Sequence, residues 1–449
     1  MQKSYHKIIN YKGIYYYNFK KNILIKNSNL INALNVEDNV RKFEICQDNN
    51  KIIKKFILKK RKVLLLQVTQ ACNLRCKYCV YSDEFSRKPS NAFMSFDVAK
   101  KAVDLHFKHS VTSVYTNIGF YGGEPLLNFT LIKNIINYIK DNYPCRLVYY
   151  NITTNATLFN EEIIDFFIDN KINTMISLDG PKRIHDDKRL DIYNNGTFNK
   201  VIDTINHIKR KNKNYFNNHI SFNSVTSNIY EQSIAEDFFI KKFKIKYDVG
   251  VFSYSKKISE LKFSNQNIKT IENDIIRKSL ITLFEYRSNV PITYKSGIIN
   301  YRFLMKMRNI NEKLMKSSTS EKIIKFHPKG QCIPSHTRCF VDVKGRFFPC
   351  EKTNELNDFL VIGNVYNDVN MKKATKVYNY AKFICCKCNE CWALHFCDLC
   401  VAKILESNFG NNIIDKYCEE VRKTTEIFLS ALIVLKNIFV SYYYKCNKF

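Results

Sequence analysis

"TQACNLRCKYCVY", Thr69 to Tyr81, places cysteines at positions 72, 76 and 79 and then moves on without a fourth. It follows directly on "VLLLQVT" (63–69), an unbroken apolar run of strand length. Loops at the carboxyl ends of parallel strands are where α/β barrels carry their chemistry. A structural zinc site wants four ligands close together, and no further cysteine occurs before Cys145. A four-iron cluster held by three thiolates instead leaves one iron open to an outside ligand.

On the carboxyl side of this loop, strand and helix patterns alternate regularly. The spacing predicts strands at "TNIGFYG", "RLVYYNITTN", "TMISLDG", "HISFNSVTS" and "KYDVGVFSYS". Between them lie stretches apolar at helical spacing: "SFDVAKKAVDLHFKHS", "NFTLIKNIINYIKDN", "NEEIIDFFIDNK", "TFNKVIDTINHIKRKN" and "EQSIAEDFFIKKF". With "VLLLQVT" these make six βα units, the pattern of a parallel sheet curled into a partial (β/α)6 TIM-like barrel over residues 61–300. A long helix is expected near Ile268 to Arg287.

Residues 1–60 read as a small N-terminal module, a β-hairpin with a helical patch at "SNLINALNVEDNVRKF", joined to the barrel by the basic linker "KKFILKKRK". Residues 325–425 form a cysteine-rich, turn-rich region, and 426–449 a C-terminal helix. The apolar run there, "IFLSALIVLKNIFV", is interrupted by Lys436 and is too short for a membrane span.

With 449 residues, 45% of them hydrophobic, the chain has ample material for folded domains, and intrinsic disorder is excluded. The formal charge of +30 comes from lysines spread along the whole sequence among Asn and Ile. It reads as compositional bias, and no nucleic-acid partner is expected. "MQKSYHKIINYKG" lacks the apolar core of a signal peptide, which predicts a cytoplasmic protein whose 16 cysteines serve metal and not disulfides.

Further landmarks stand at the ends of the predicted strands. "YGGEP" (121–125) offers the small residues Gly122 and Gly123 and the carboxylate Glu124. "NITTN" ends in Asn155, and "SLDGPKRIHDDKR" contains Ser177, Asp179 and Arg189. Taken with the three-cysteine loop and its aromatic Tyr78, this set resembles the radical S-adenosylmethionine (SAM) enzymes. The resemblance implies that Cys72, Cys76 and Cys79 hold a 4Fe-4S cluster whose open iron chelates SAM. It also implies that Gly122, Gly123 and Glu124 meet the methionyl amine, that Ser177 contacts the ribose, and that Arg189 grips the carboxylate, with Asn155 and Tyr78 beside them. Asp179 is equally readable as a helix cap or turn former.

The second cysteine set is Cys332, Cys339, Cys350 (in "GRFFPC"), then Cys388, Cys391, Cys397 and Cys400 in "CNECWALHFCDLC", and Cys418. It is similar to the SPASM domain, which carries two auxiliary 4Fe-4S clusters in enzymes that modify peptides and proteins. That similarity implies one cluster on Cys332, Cys339, Cys350 and Cys400 and another on Cys388, Cys391, Cys397 and Cys418. Together with the SAM-binding cluster this makes three. The last two cysteines of the central run stand closer together than in many SPASM sequences, so Cys385 and Cys386 are substitutes for Cys400. Cys46, Cys145 and Cys446 read as ordinary thiols.

"FFPCEK", "IGNV" and "CWALHFCDLC" look most like maturases of cysteine-rich ribosomal peptides. This implies a radical SAM peptide maturase, an oxidoreductase that forms thioether links from cysteine sulfur to carbon. Its partners would be a cysteine-rich precursor peptide and an electron donor such as ferredoxin or flavodoxin. Glu351, next to Cys350, resembles the acidic residue that takes a proton in sulfatase-type maturases, and a salt bridge is the other reading of it. Sulfatase-type maturation to formylglycine is the rival reaction. An iron-sulfur electron carrier is a further rival, and it would have no use for "GGE" or Arg189. The N-terminal module would either recognise a leader peptide through an edge strand or serve only as structure.

Overall fold

The computed structural model describes residues 5–10, 13–18, 23–26, 42–43, 61–79, 90–226, 229–244, 250–254, 323–324, 332–379, 387–388, 390–397, 400–404 and 411–446. The expected helix near 268–287, most of the helical patch at 28–43, and Cys46, Cys385 and Cys386 lie outside the described residues. The N-terminal strands β1 (Tyr5–Asn10), β2 (Gly13–Asn18) and β3 (Ile23–Ile25) form an antiparallel sheet in that order. A short β4 (Lys42–Phe43) pairs with Ile323–Ile324.

The central sheet holds β5 (Val63–Thr69), β6 (Tyr115–Gly122), β7 (Leu147–Thr154), β8 (Asn173–Ser177), β9 (Ile220–Thr226) and β10 (Gly250–Tyr254), each parallel to the next. These are the six strands the pattern predicts. Between them run α1 (Phe96–His109), α2 (Phe129–Asn142), α3 (Glu161–Asp169), α4 (Lys182–Lys188), α5 (Phe198–Lys211), α6 (Lys213–His219) and α7 (Ile229–Phe243). The helix starts follow local chemistry. The side chains of Ser95, Asn160 and Asn212 accept from the backbone N–H three residues on, capping α1, α3 and α6.

One face of each strand packs under the helices. Leu64, Leu66 and Val68 of β5, Ile118 and Phe120 of β6, and Ile152 of β7 join Val103 of α1 and Ile132, Ile135 and Ile136 of α2 in one core. The alternate residues, Leu65, Gln67 and Tyr121, face the other way, toward the inside of the curl.

The sheet does not stop at β5. After β11 (Ile323–Ile324), β12 (Arg338–Val341) lies parallel to β5, with Arg338 opposite Val63 and Val341 opposite Leu66. β13 (Arg346–Phe348), β14 (Gly363–Asn364) and β15 (Asp368–Val369) continue it antiparallel to a ten-stranded sheet. Arg61, expected in a basic linker, is fully buried. It donates to the Ser335 hydroxyl at 2.5 Å and lies over the Phe347 ring.

The remaining helices are α8 (Met371–Tyr378), α9 (Val401–Ile404) and α10 (Asn411–Cys446). α10 thus begins well before the expected 426 and takes Cys418 into its first turns. Its apolar run packs on the N-terminal sheet, with Leu429, Leu432 and Val434 against Ile8 and Tyr17. Among the described residues no helix is long and apolar enough to cross a membrane.

Because Leu66 is buried in the strand that both halves of the sheet share, Leu66→Ala should cost roughly 2–5 kcal/mol. Equilibrium denaturation of the metal-free chain checks this as a lower midpoint.

Candidate SAM and iron-sulfur site

The loop after β5 is fixed from three sides. Backbone bonds run from Arg75 N to Leu190 O (2.7 Å) and from Lys77 N to Lys188 O (3.0 Å), and on the other flank from Glu124 N to Ala71 O (2.8 Å). Asn73 accepts from Asn155 Nδ2 at 2.9 Å and donates to Thr157 Oγ1 at 2.8 Å. The loops after β6, β7 and β8 therefore all converge on the cysteine loop.

Gly122 and Gly123 have a packing reason to be glycine. A Cβ on Gly122 would collide with the Thr69 carbonyl, and one on Gly123 with the carbonyl of Ala71. Gly122 also has φ +153, which a side chain would strain. Sequence reasoning assigned them close approach to a ligand; the close approach seen is backbone to backbone.

The three thiols lie within electrostatic reach of one another, although among the described residues no three His, Cys, Asp or Glu side chains are gathered closely enough to hold a single metal ion. Burial pushes Cys72 up to about 12, and the Glu124 carboxylate and the Cys76 and Cys79 thiols add to the rise. Burial likewise lifts Cys76 to about 11, against the pull of Arg189. The Leu74 N–H points at Cys72 Sγ (3.4 Å) and Arg189 Nη1 at Cys76 Sγ (3.9 Å). Thiols this desolvated become thiolates only against a strong positive charge, and the N–H donors are already aimed at the sulfurs. This donor set fits an iron cluster.

Around the thiols sits a buried polar network. Asp179 is the hub: it accepts from Tyr78 Oη (2.7 Å) and Val225 N (3.0 Å), and it lies 3.2 Å from Arg189 Nε. Burial works against the Arg189 charge, but Asp179 and Tyr78 outweigh it and hold the guanidinium above its ordinary value. Of the two readings of Asp179, the structure shows neither a cap nor a plain turn but a counter-charge. A SAM carboxylate at Arg189 would share the guanidinium with Asp179. Ser177 ends β8, nearly buried.

Glu124 is 1% exposed and accepts from Thr154 Oγ1 (2.7 Å), Asn155 N (2.7 Å) and Leu126 N (3.1 Å). Burial raises it from 4.5 to about 7 despite these donors.

In the auxiliary region, Cys388 is pushed up to about 12 by burial and then by the influence of Cys397, Cys418 and Cys391. Cys350, raised to about 11 by burial and Glu351, also feels Cys400. Cys332 is exposed. Cys339 is not brought to them. On β12, Arg338 reaches Glu351 and Phe340 meets Tyr121 edge-on on the inner face, so alternation turns Cys339 to the helix-covered face beside Leu64. There it is fully buried, bonded to Ser335 and near Arg61. Glu351 is held by Arg338 Nη1 at 2.9 and 3.0 Å to its two oxygens. The salt bridge that was the other reading of Glu351 is made, with Arg338 as its partner.

Residues 66–231 match the Radical SAM superfamily profile. They form a radical SAM domain. Among similar proteins are a cysteine-type anaerobic sulfatase-maturating enzyme of Clostridium novyi, 34% identical over 34% of this chain and 41% of that protein, and the radical SAM cyclopropyl synthase TigE of Paramaledivibacter caminithermalis, 25% identical over 60% and 56%. The chain thus spans about two fifths to somewhat over half the length of these relatives. The solved structure of native anSMEcpe with bound AdoMet and Cp18Cys peptide has a TM-score of 0.58 at 22% identity, covering 84% of this chain and 98% of that one, so the fold is shared from barrel to auxiliary region.

Two predictions follow from this geometry. A raised carboxylate binds its proton more tightly in the folded chain, so stability falls as pH rises from about 4.5 to about 7 and is level above. Glu124→Gln should remove this slope, on the order of 3 kcal/mol, in denaturation of the metal-free chain at pH 5 and pH 8. Cys339→Ala should leave the iron content of reconstituted protein unchanged, whereas Cys350→Ala should lower it, as read by iron and sulfide analysis.

Proposed function

We propose that the protein is a radical SAM enzyme that modifies a ribosomally made, cysteine-rich precursor peptide, forming thioether links from cysteine sulfur to a carbon of another residue. The observation that carries the peptide-modifying part is the set of further thiols, with Cys388 influenced by Cys391, Cys397 and Cys418 and Cys350 by Cys400, in the region that follows the strand β13 of the shared sheet. The thioether part rests on the likeness of "FFPCEK", "IGNV" and "CWALHFCDLC" to maturases of such peptides.

When bound, a 4Fe-4S cluster and SAM supply a 5'-deoxyadenosyl radical that takes hydrogen from a substrate carbon. The chain's own residues would bind and aim SAM. Cys72, Cys76 and Cys79 hold the cluster, Glu124 and the Gly122–Gly123 backbone receive the amine, and Arg189 receives the carboxylate. Asn155, Ser177 and Tyr78 line the same mouth. Cys388, Cys391, Cys397 and Cys418, and Cys332, Cys350 and Cys400, would hold two auxiliary clusters, three in all, that would give the surplus electron a destination, with a ferredoxin or flavodoxin as the source of the reducing electron. Glu351 is the base in this reading, and Arg338 Nη1, which donates to both of its oxygens, would have to move aside for a thiol to reach them.

Sulfatase-type oxidation of a cysteine or serine to formylglycine is the second reading. The Clostridium novyi relative and the shared fold with anSMEcpe favour it.

The test is anaerobic reconstitution with SAM, reductant and a cysteine-rich peptide encoded beside the chain's own gene. Expected are about twelve irons per chain, 5'-deoxyadenosine, and a peptide that keeps its sulfur while losing a pair of hydrogens per link. Loss of sulfur from the peptide, or loss of two hydrogens with every cysteine still open to thiol alkylation, would select formylglycine chemistry at cysteine or serine respectively, and absence of 5'-deoxyadenosine would overturn both readings. Replacing Cys72, Cys76 and Cys79 together by Ala should abolish SAM cleavage.

A further inference from the structure

The inner face of the curl carries polar groups below the cysteine loop, and alternation along the strands decides which residues these are. Ile118, Phe120, Ile152, Ile176 and Phe222 lie in the core under the helices. Thr116 and Thr174 are bonded to His106 and Tyr215 on that same side. Asn117 and Gly119 of β6, Asn151 and Thr153 of β7, Asn173 and Met175 of β8, and Ser221 and Asn223 of β9 therefore face inward. In a closed barrel such positions are filled by layers of bulky branched side chains. Here all of them except the glycine are partly exposed.

A row of carboxamides crosses these strands. His219 Nδ1 lies 2.9 Å from Asn173 Oδ1, Asn173 Nδ2 donates to Asn151 Oδ1 at 3.2 Å, and Asn151 Nδ2 donates to Asn117 Oδ1 at 3.3 Å. The row ends at Asn117 Nδ2, which has no partner among the described residues. Higher on the same face, the side chains of Thr153 and Asn223 make no hydrogen bond among the described residues either. Asn223 stands opposite Ser177, so the face runs on to the strand end that carries Asp179 and Arg189.

This face is uncharged. In a chain in which 25% of the residues are charged, the inward positions of β6 to β9 hold no Asp, Glu, Lys or Arg. Burial and Lys171 lower the pKa of His219, which keeps it neutral as well. Charge appears only at the borders. Lys62 and Lys171 stand before the strands, and Asp179 and Arg189 beyond them are paired with each other. On the β5 side, the Glu355 carboxylate accepts from Gln67 Nε2 at 3.0 Å and is 3% exposed.

A carboxamide both donates and accepts, as a peptide group does, so it can bond to backbone in either sense. It offers no counter-ion. A charged side chain brought against this face would lose water without gaining a partner, which is costly.

We propose that this face seats the segment of substrate being altered and selects a stretch of peptide whose side chains are uncharged. This rests on the reading of a peptide as substrate. Asn151, Thr153 and Asn223 are the specificity-determining residues: they offer bonds to the peptide backbone and withhold the counter-charge that a lysine or glutamate would need.

The experiment first locates, by fragmentation mass spectrometry, the residue that the reconstituted wild-type protein alters in the peptide encoded beside its gene. Peptides in which either neighbour of that residue is Gln, Lys or Glu are then compared on the wild-type, Asn151→Asp and Asn223→Asp holoproteins. With the wild-type protein, the Gln peptides should react near the normal rate and the Lys and Glu peptides about tenfold or more slowly. At least one Asp variant should recover the Lys peptide and not the Glu peptide, with iron content and 5'-deoxyadenosine release retained. Lys and Glu peptides altered as fast as the Gln peptides, or a Lys peptide that neither Asp variant recovers, would overturn the proposal. Loss of iron or of 5'-deoxyadenosine in both Asp variants would make these carboxamides part of the barrel's frame or of the SAM seat and overturn it equally. If the wild-type protein leaves the natural peptide unaltered, the substrate reading fails first, an outcome visible before any variant is made.

Discussion

The parallel pairing of β12 with β5 is the constraint on which the rest of the structure depends. β5 is the strand whose end carries Cys72, Cys76 and Cys79, and β12 leads through β13 to Cys350. Because Arg338 to Val341 are hydrogen-bonded in register with Val63 to Leu66, the distance between the two thiol sets is set by backbone geometry and not by a linker. A one-residue slip would turn every β12 side chain to the other face. Arg338 would lose Glu351, and Cys339 would exchange its place beside Arg61 and Ser335 for the inner face. The buried Arg61, which donates to Ser335 just before β12, pins this register from the barrel side.

That rigid frame explains why so much charge can be buried beside the cysteine loop. Asp179, Arg189, Glu124 and Glu355 are all nearly or fully inaccessible. Isolated buried charges are costly, and they persist here because each is hydrogen-bonded to a fixed partner. The two glycines of "GGE" let the loop after β6 press against Thr69 and Ala71, which brings Glu124 into reach of the loop after β7. The glycines thus act on the site indirectly, by permitting an approach of two backbones that places a carboxylate close to Cys72.

The fold was legible where the information is local. The six barrel strands and the helices between them follow from apolar periodicity and caps such as Ser95 and Asn160, and the three-cysteine loop from its position after the first strand. What escaped sequence reasoning is non-local. In "RCFVDV" there is no contrast of polar and apolar residues to say which face Cys339 takes, because β12 is buried on both. Nothing in "KKFILKKRK" marks Arg61 as the buried one. Asp179 was visible within "SLDG", but its pairing with Tyr78 and Arg189 joins segments about a hundred residues apart, a contact that only the converging strand ends create. Glu355 carries no motif at all, and its bonds to Gln67 and Gln70 join segments 288 and 285 residues apart.

The N-terminal sheet belongs to the same argument. His6 stacks on Trp392 with ring centres 3.6 Å apart, and Tyr17 lies 5.4 Å from Phe396. These two aromatics flank the turn between Cys391 and Cys397. Ile8, Tyr15 and Tyr17 then pack on the part of α10 that follows Cys418. One face of this sheet is thus spent on covering the turn and helix that carry Cys391, Cys397 and Cys418, and the apolar cover beside a thiol site is a setting that shapes the potential of a bound cluster. The sheet order β1, β2, β3 leaves, among the described residues, the outer edges of β1 and β3 as the places where a further strand could add. Any peptide recognised there would be bound by an element whose opposite face touches the aromatic residues beside Cys391 and Cys397, so recognition and the second thiol set share one small hydrophobic cluster.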